Sequence, residues 1–289
     1  MNKSIPTICL ILAFVCGISA YFLWTASTFV ASDVIAQKEE TEQSKKGVID
    51  KTKILIVPGH DDEFYGTEYQ GVREADLNLI VAEKLYDLLQ DDTRFNIQLT
   101  RNKLGYKADL GRFLRLNKED IEILKAENRM IDEIHKPVDT VDHVLANDKV
   151  ALKLFGINKW ADEKKFDLVL HIHFNNFPGS QGNKKYHGFS IYIPQRNYQN
   201  HEKSKRFADL LRVQLATEFL ESNLPLESGI VIEDSHLIAV GPNNSLKSPA
   251  VLVEYGYIYE DQFNNGNSDD IFQKLAEKTY NAILENFNY

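Results

Sequence analysis

The chain has 289 residues, of which 43% are hydrophobic and 26% are charged, so it is long enough to bury a full core. Its formal net charge of −9 argues against nucleic-acid binding, which favours a basic face. Its two cysteines, Cys9 and Cys16, lie near the amino terminus, so the rest of the chain has no thiolate for catalysis or metal binding. Any metal site there must use His, Asp and Glu.

Residues 1–31 are predicted to be a membrane anchor. The run from Ile5 to Trp24 carries no charge and has about the length that a helix needs to cross a bilayer. Lys3 precedes this run and no Lys or Arg follows it before Lys38, which predicts an amino terminus inside the cell. A cleaved signal peptide is the alternative, which would release a secreted protein. In both cases we expect the remainder to be exported.

Residues 32–52 are polar and charged without apolar periodicity, which predicts a flexible tether. From residue 53 to 289, short apolar runs alternate with longer helical patterns, which predicts one α/β domain. The predicted strands are Lys53–Val57, Phe95–Thr100, Asp167–His173, Gly188–Pro194, Leu237–Val240 and Ala250–Tyr255. The predicted helices are Glu74–Gln90, Lys118–Ile134, Lys149–Lys164, Glu202–Glu221 and Asp270–Asn286.

Four polar residues, His60, Glu74, His173 and Glu254, follow or end predicted strands or begin a helix. We expect them to converge, because ligand sites in α/β sheets form at the carboxyl ends of the strands. Two imidazoles and one carboxylate leave the fourth position of a tetrahedral zinc ion open, as a hydrolytic zinc site requires.

Each residue also has a simpler interpretation. His60 could be a solvated turn residue, Glu74 could only complement the helix dipole, and Glu254 could belong to a buried ion pair. His171, His173 and Asn175 alternate along one strand and therefore share a face, opposite its apolar residues. That pattern favours a polar site over core packing.

The phrases that carry these residues resemble the zinc-dependent N-acetylmuramoyl-L-alanine amidases, the amidase type 3 family. The phrases are Val57-Pro-Gly-His-Asp-Asp-Glu, Gly71-Val-Arg-Glu-Ala-Asp-Leu-Asn-Leu, Asp167-Leu-Val-Leu-His-Ile-His-Phe-Asn and Pro249-Ala-Val-Leu-Val-Glu-Tyr-Gly-Tyr. The resemblance runs from about Lys53 to Phe287, and Leu99-Thr-Arg is similar to the family's Thr-Arg step.

The resemblance implies a three-layer α/β sandwich with a mostly parallel sheet of about six strands. It implies that His60, Glu74 and His173 bind one Zn²⁺ ion and that Glu254 is the catalytic carboxylate. The implied substrate is peptidoglycan, cut at the amide between the lactyl group of N-acetylmuramic acid and L-alanine during cell-wall remodelling or lysis. The implied location is the bacterial cell envelope, with the catalytic domain anchored outside the cytoplasm. Whether an activator protein binds the chain stays open.

Several positions depart from the family pattern. Val57 stands in place of Asp, Asp61-Asp62 in place of Gly-Gly, His171 in place of Ser, and Tyr257 in place of Phe. His171 could orient a zinc ligand or compete with His173 for the metal, and Asn175 could hydrogen-bond the substrate or the tetrahedral oxyanion.

Residues 102–147 form a longer connection than the family usually has. An acidic, solvated helix is one interpretation of this insertion, and a lid or regulatory segment is the other. Three alternatives to the amidase also stay open: an exported zinc peptidase that cuts another amide, an inactive anchored module that binds or regulates the wall, and a metal-free glycosidase that uses Glu74 and Glu254.

Overall fold

A six-stranded sheet of mixed parallel and antiparallel strands forms the centre of the computed structural model of this chain. The structure describes residues 51–134, 146–177, 184–227, 231–266 and 268–289, and it does not describe the side chains of 132–134. The predicted anchor at 1–31 and the tether up to residue 50 lie outside the described residues. Among the residues described, no helix has both the length and the apolar character that a membrane span requires.

The sheet has the strand order β4-β1-β7-β10-β8-β9. The strands are β1 (Thr52–Pro58), β2 (Glu68–Tyr69), β3 (Val72–Arg73), β4 (Phe95–Leu99), β5 (Arg101–Asn102), β6 (Gly105–Tyr106), β7 (Leu168–Asn175), β8 (Ser190–Pro194), β9 (Val231–Asp234) and β10 (Ala250–Tyr257). Strands β2 and β3 form one small hairpin and β5 and β6 another. In the central sheet only the β8–β10 pair is antiparallel, which confirms the mostly parallel six-stranded sheet.

Helices cover both faces of the sheet. They are α1 (Glu74–Gln90), α2 (Ala108–Leu116), α3 (Lys118–Ile134), α4 (Asp148–Lys164), α5 (His201–Leu215) and α6 (Ser268–Asn286). Helices α1, α5 and α6 pack on one face, and α2 and α4 pack on the other. The sequence of strand β1 is continuously apolar because both faces of the strand are buried. Ile54 and Ile56 pack in the core on the side of α1, and Leu55 and Val57 pack in the core on the side of α4. The result is a three-layer α/β sandwich.

One predicted strand is wrong. Residues Leu237–Val240 do not pair with the sheet, because Ile238–Val240 is a 3₁₀ helix whose apolar side chains pack on Tyr192 and Leu252. Gly241 follows with φ +83° and then Pro242 ends the run, a geometry that a continuing strand would not adopt. The sixth strand is instead β9, which is only four residues long and contains two acids, so its pattern was not recognised.

The other differences concern helices. Helix α5 ends at Leu215 instead of the predicted Glu221, and helix α2 was not predicted. Both described helices of the 102–147 insertion pack against α4, where Leu114 and Ile121 approach Gly156. A Cβ atom at Gly156 would lie 2.2 Å from Leu114 Cδ2, so glycine permits this close packing. Residues 135–145 of the insertion lie outside the described residues, and its lid role stays a prediction.

Candidate metal centre

His60, Glu74 and His173 meet at the carboxyl end of strands β1 and β7. His60 lies in the loop after β1, Glu74 is the first residue of α1, and His173 lies near the end of β7. One ligand atom from each residue lies within 4.8 Å of the other two. Glu74 Oε1 lies 3.1 Å from His60 Nε2 and 2.9 Å from His173 Nδ1. The structure therefore brings together the three residues that the sequence proposed as ligands.

Hydrogen bonds fix the orientation of the Glu74 carboxylate. Its Oε2 accepts the backbone N–H of Thr67 at 3.1 Å, which turns Oε1 towards the two imidazoles. One helical turn along α1, the Asn78 amide donates to the carbonyl of Gly59 at 3.0 Å and lies 3.5 Å from Glu74 Oε1. Asn78 thus ties the ligand helix to the loop that carries His60.

Two glycines let the backbone approach the three side chains closely. A Cβ atom at Gly59 would lie 2.2 Å from the His173 ring. A Cβ atom at Gly66 would lie 2.3 Å from Glu74 Oε2 and 2.7 Å from His60 Cδ2, and Gly66 also has a φ of +76°. His60 itself has a φ of +61°, an uncommon conformation for a residue with a side chain. Such geometry is typical of a constrained functional loop.

The electrostatics of the group suit a cation. Burial would raise the pKa of Glu74, but His60 and His173 outweigh it and hold the pKa of that carboxyl well below its usual value. Burial alone would lower the pKa of His60, yet the Glu74 carboxylate prevails and raises it. Burial lowers the pKa of His173, which favours its neutral form. An ionised carboxylate beside imidazoles is a donor set that fits zinc.

Glu254 stands beside this group. It lies in β10 in register with His173 of β7, so the two side chains extend from the same face of the sheet. Its Oε2 is buried and has no hydrogen-bond partner among the described residues. Burial, followed by the negative charges of Glu74 and Glu227, raises the pKa of Glu254 well above its usual value. A carboxyl group in that environment is suited to take up and return a proton.

The comparisons with known proteins agree with this geometry. The family model described as N-acetylmuramoyl-L-alanine amidase, Amidase_3, matches residues 54–285. The chain belongs to this family. The resemblance seen in the sequence is therefore confirmed, and the protein is an amidase of the peptidoglycan-cleaving family. A search of curated protein sequences finds no match to this amidase.

Solved amidase structures share its fold. The CwlD amidase from Clostridioides difficile, solved in complex with the GerS lipoprotein, has a TM-score of 0.56 and 17% identity over 82% of this chain and 99% of its own. The CwlV catalytic domain from Bacillus (Paenibacillus) polymyxa has a TM-score of 0.53 and 19% identity over 82% and 98%. An amidase from Mycobacterium smegmatis has a TM-score of 0.55 and 15% identity over 83% and 98%. At these identities, the likeness shows the fold alone.

His171 lies in the amidase core rather than with the three converging residues. It is fully buried, in register with Val57 of β1 and Leu252 of β10. Neither of its ring nitrogens has a hydrogen-bond partner in the part of the chain that the structure describes. Burial lowers the pKa of His171 to about 3, with a smaller contribution from His173. The described residues therefore show no hydrogen bond through which His171 would orient a ligand, and that role stays a prediction.

Asn175 belongs to a buried polar network that sequence reasoning missed. Its amide donates at 3.1 Å to Glu227, a carboxylate that is 1% exposed. Glu227 also accepts hydrogen bonds from Tyr192 at 2.6 Å, Ser222 at 2.6 Å and Tyr257 at 3.1 Å. These donors come from different parts of the chain, so no local sequence signal marks the network. It fixes the sheet edge beside Glu254.

Arg101 holds together the two segments that carry the ligands. Its guanidinium donates to the carbonyls of Pro58 at 3.1 Å, Gly59 at 2.9 Å and Ala75 at 2.8 Å, and the residue is 5% exposed. Pro58 and Gly59 directly precede His60, and Ala75 directly follows Glu74. The arginine of the Thr-Arg step that resembles the family pattern therefore joins the backbone segments of two candidate ligands in this amidase.

Asp61 shows how this amidase accommodates one departure from the family pattern. Its Oδ2 accepts hydrogen bonds from Lys153 of α4 at 2.7 Å and from Tyr106 at 3.1 Å. Burial would raise the pKa of Asp61, but these partners outweigh it and lower the pKa. Lys153 also contacts Glu63 at 3.0 Å, which fastens the His60 loop to α4. The neighbouring Asp62 is exposed instead.

Proposed function

We propose that this chain hydrolyses the amide between N-acetylmuramic acid and L-alanine in peptidoglycan, and that it requires one Zn²⁺ ion. The observation that carries the proposal is the convergence of His60, Glu74 and His173 within 4.8 Å, with Glu254 in register on the adjacent strand. Membership of the amidase family supports the peptidoglycan amide as the bond that is cut. The role in cell-wall remodelling or lysis follows from that bond.

His60, Glu74 and His173 would hold the zinc ion. When bound in this donor set, zinc supplies Lewis acidity, which makes water a better nucleophile and polarises the scissile carbonyl. Glu254 takes the proton of the attacking water and passes it to the leaving nitrogen. That second transfer is needed because an amide nitrogen is a poor leaving group until it is protonated. The raised pKa of Glu254 suits both transfers.

The test is incubation of the purified protein with peptidoglycan, with zinc and then with a chelator, followed by mass spectrometry. Zinc-dependent release of stem peptides with a free amino-terminal alanine would support the amidase. Fragments cut inside the peptide would support the zinc peptidase instead. Cut glycan chains that persist in chelator would support the glycosidase, and no cleavage by the zinc-loaded protein would support the inactive module.

Replacement of Glu254 by glutamine separates chemistry from binding. The variant keeps the size of the side chain but cannot accept a proton, so we expect normal zinc content and a rate lower by about 10²–10⁴-fold. The matched control is Glu233→Gln, which changes a carboxylate that pairs with Arg196 and lies in β9, separated from β10 by β8. Equal activity of the Glu254 variant and the wild type would remove the acid and base role from this residue.

The proposal also includes location and partners. We place the catalytic domain outside the cytoplasm, held by residues 1–31 or released after their cleavage, since peptidoglycan lies there. Detection of the chain in membrane or secreted fractions tests this point.

The CwlD amidase was solved with the GerS lipoprotein, which is compatible with an activator protein for this chain as well. Activity of the purified chain without any added protein would argue against that requirement.

A further inference from the structure

Five aromatic side chains form a continuous row along the carboxyl edge of the sheet. The row runs through Phe177, Tyr186, Tyr257, Tyr259 and Tyr69, and we call it the aromatic row. Successive ring centroids are 4.7, 6.3, 5.5 and 6.3 Å apart. These separations are typical of favourable aromatic pairs. The row is therefore a packed structure and not a set of scattered surface residues.

The inner part of the row is rigid and lies beside the catalytic carboxylate. Tyr257 and Tyr259 are fully buried, and the Tyr257 hydroxyl donates to Glu227 at 3.1 Å. Strand β10 changes register between Glu254 and Tyr257, so Tyr257 lies opposite Asn175 of β7. This irregularity places Tyr257 at the same sheet edge as Glu254. The row thus starts at the proposed site and is fixed there by the Glu227 network.

The outer end of the row reaches the protein surface at Phe177. Phe177 follows His173 by four residues and is 38% exposed, and Tyr186 is half-buried against it. The Lys185 ammonium lies 4.7 Å from the centroid of the Tyr186 ring. Lys184, the preceding residue, forms an ion pair with Asp261, the first residue of the 3₁₀ helix Asp261–Phe263. Phe177 and Tyr186 thus bring one exposed and one half-buried ring to the surface beside the proposed site, where ligand pockets are commonly lined by aromatic side chains.

We propose that Phe177 and Tyr186 form a stacking subsite for the sugar rings of the glycan strand. This inference rests on the proposed function, because the amide that Glu254 would help to cut hangs from a sugar whose neighbours are also sugars. A pyranose ring presents an apolar face of C–H groups, which matches the electron-rich face of an aromatic ring. The beginning of a stem peptide offers small and charged groups with no flat apolar face, so the glycan is the better occupant.

The experiment measures binding of peptide-free glycan chains to the zinc-loaded wild type, Phe177→Ala and Tyr186→Ala by titration calorimetry. An aromatic pair contributes about 0.5–1.5 kcal/mol, so we expect each variant to raise the Kd about two- to tenfold. The matched control is Tyr289→Ala, because Tyr289 is 47% exposed but lies against Thr52, at the opposite end of strand β1. We expect its Kd to equal that of the wild type.

A second measurement separates stacking from a general loss of structure. Phe177→Trp keeps a flat ring, so it should restore glycan binding that Phe177→Ala loses, whereas a merely misfolded loop would not respond to the ring. The loss of kcat/KM in Phe177→Ala should also grow as the substrate is lengthened from one sugar to several. A loss that grows with peptide length at constant glycan length would overturn the inference and assign the surface to the peptide.

The inference and the proposed function can fail separately. Equal Kd values for the wild type and both alanine variants would overturn the glycan subsite even if the enzyme cuts the muramoyl amide. Absence of amide cleavage by the zinc-loaded wild type, together with glycan binding that depends on Phe177, would overturn the proposed reaction and leave the subsite supported.

Discussion

Replacing Arg101 with methionine tests whether the metal centre depends on the clamp that joins its two ligand segments. The substitution removes three hydrogen bonds, to the carbonyls of Pro58, Gly59 and Ala75, while it keeps much of the apolar volume of the stem. We expect two effects, a lower free energy of unfolding and a weaker affinity for zinc. Both follow because the guanidinium contacts the backbone on either side of the ligands and not the ligands themselves.

The magnitude follows from what each carbonyl loses. Gly59 retains its hydrogen bond from Asn78 at 3.0 Å, so that carbonyl stays satisfied. Ala75 is the second residue of α1, so its carbonyl keeps the intrahelical hydrogen bond. The Pro58 carbonyl loses its charged donor, and such a loss costs about 1–3 kcal/mol. Burial of Arg101 lowers its pKa and is itself unfavourable, which offsets part of the loss. We therefore expect about 1–3 kcal/mol of destabilisation.

Two assays check the expectation. Urea unfolding of the metal-free protein gives the free energy of unfolding, and competition with a chelating dye gives the zinc Kd. We expect the zinc Kd to rise about 10–100-fold, the range typical when a group that orients metal ligands is lost. Arg196→Met is the control, because Arg196 is an exposed arginine whose ion pair with Glu233 should contribute less than about 1 kcal/mol.

The reasoning would be refuted by an Arg101→Met variant whose zinc Kd and free energy of unfolding both equal those of the wild type. A variant that loses stability but keeps its zinc affinity would show that Arg101 supports the fold without positioning the ligands. Arg101→Lys should lie between the two, since a lysine keeps the charge but cannot reach three carbonyls with a planar fork.

Three further predictions concern the surroundings of the site. Gly66→Ala should weaken zinc binding by at least about tenfold, because its Cβ would meet Glu74 Oε2 at a φ that disfavours alanine; normal affinity would show that the loop relaxes. His171 has a pKa of about 3 in the fold, below its unfolded value, so its stabilising contribution is present above about pH 6.5 and is lost as the pH falls towards 3. Acid titration of metal-free protein should show a loss on the order of 5 kcal/mol that His171→Leu removes, and identical pH profiles would contradict it. Asp61→Asn and Lys153→Met should each destabilise the protein by about 1–2 kcal/mol, with a double variant less destabilised than the sum, whereas strict additivity would mean that the pair is not coupled.

Local patterns in the sequence predicted much of the fold. The bounds of α1 at Glu74–Gln90 and α3 at Lys118–Ile134 agree with the sequence prediction, because an apolar stripe with helical spacing marks a helix wherever it packs. The strand predicted at Leu237–Val240 is wrong because its sequence carries no such periodic pattern. A run of four apolar residues has no period that separates a strand from a buried turn, and only its packing on Tyr192 and Leu252 decides the outcome.

The candidate site divides in the same way. The sequence by itself determined the order and chemistry of the candidate zinc ligands, because each stands at the end of an apolar strand or at the start of a helix. Only the tertiary structure placed Glu254 in register with His173, attached Asp61 to Lys153 and assembled the donors around Glu227. Such contacts join residues far apart in the chain, and no local period encodes them. They are fixed by strand register and by the requirement that buried charges find partners.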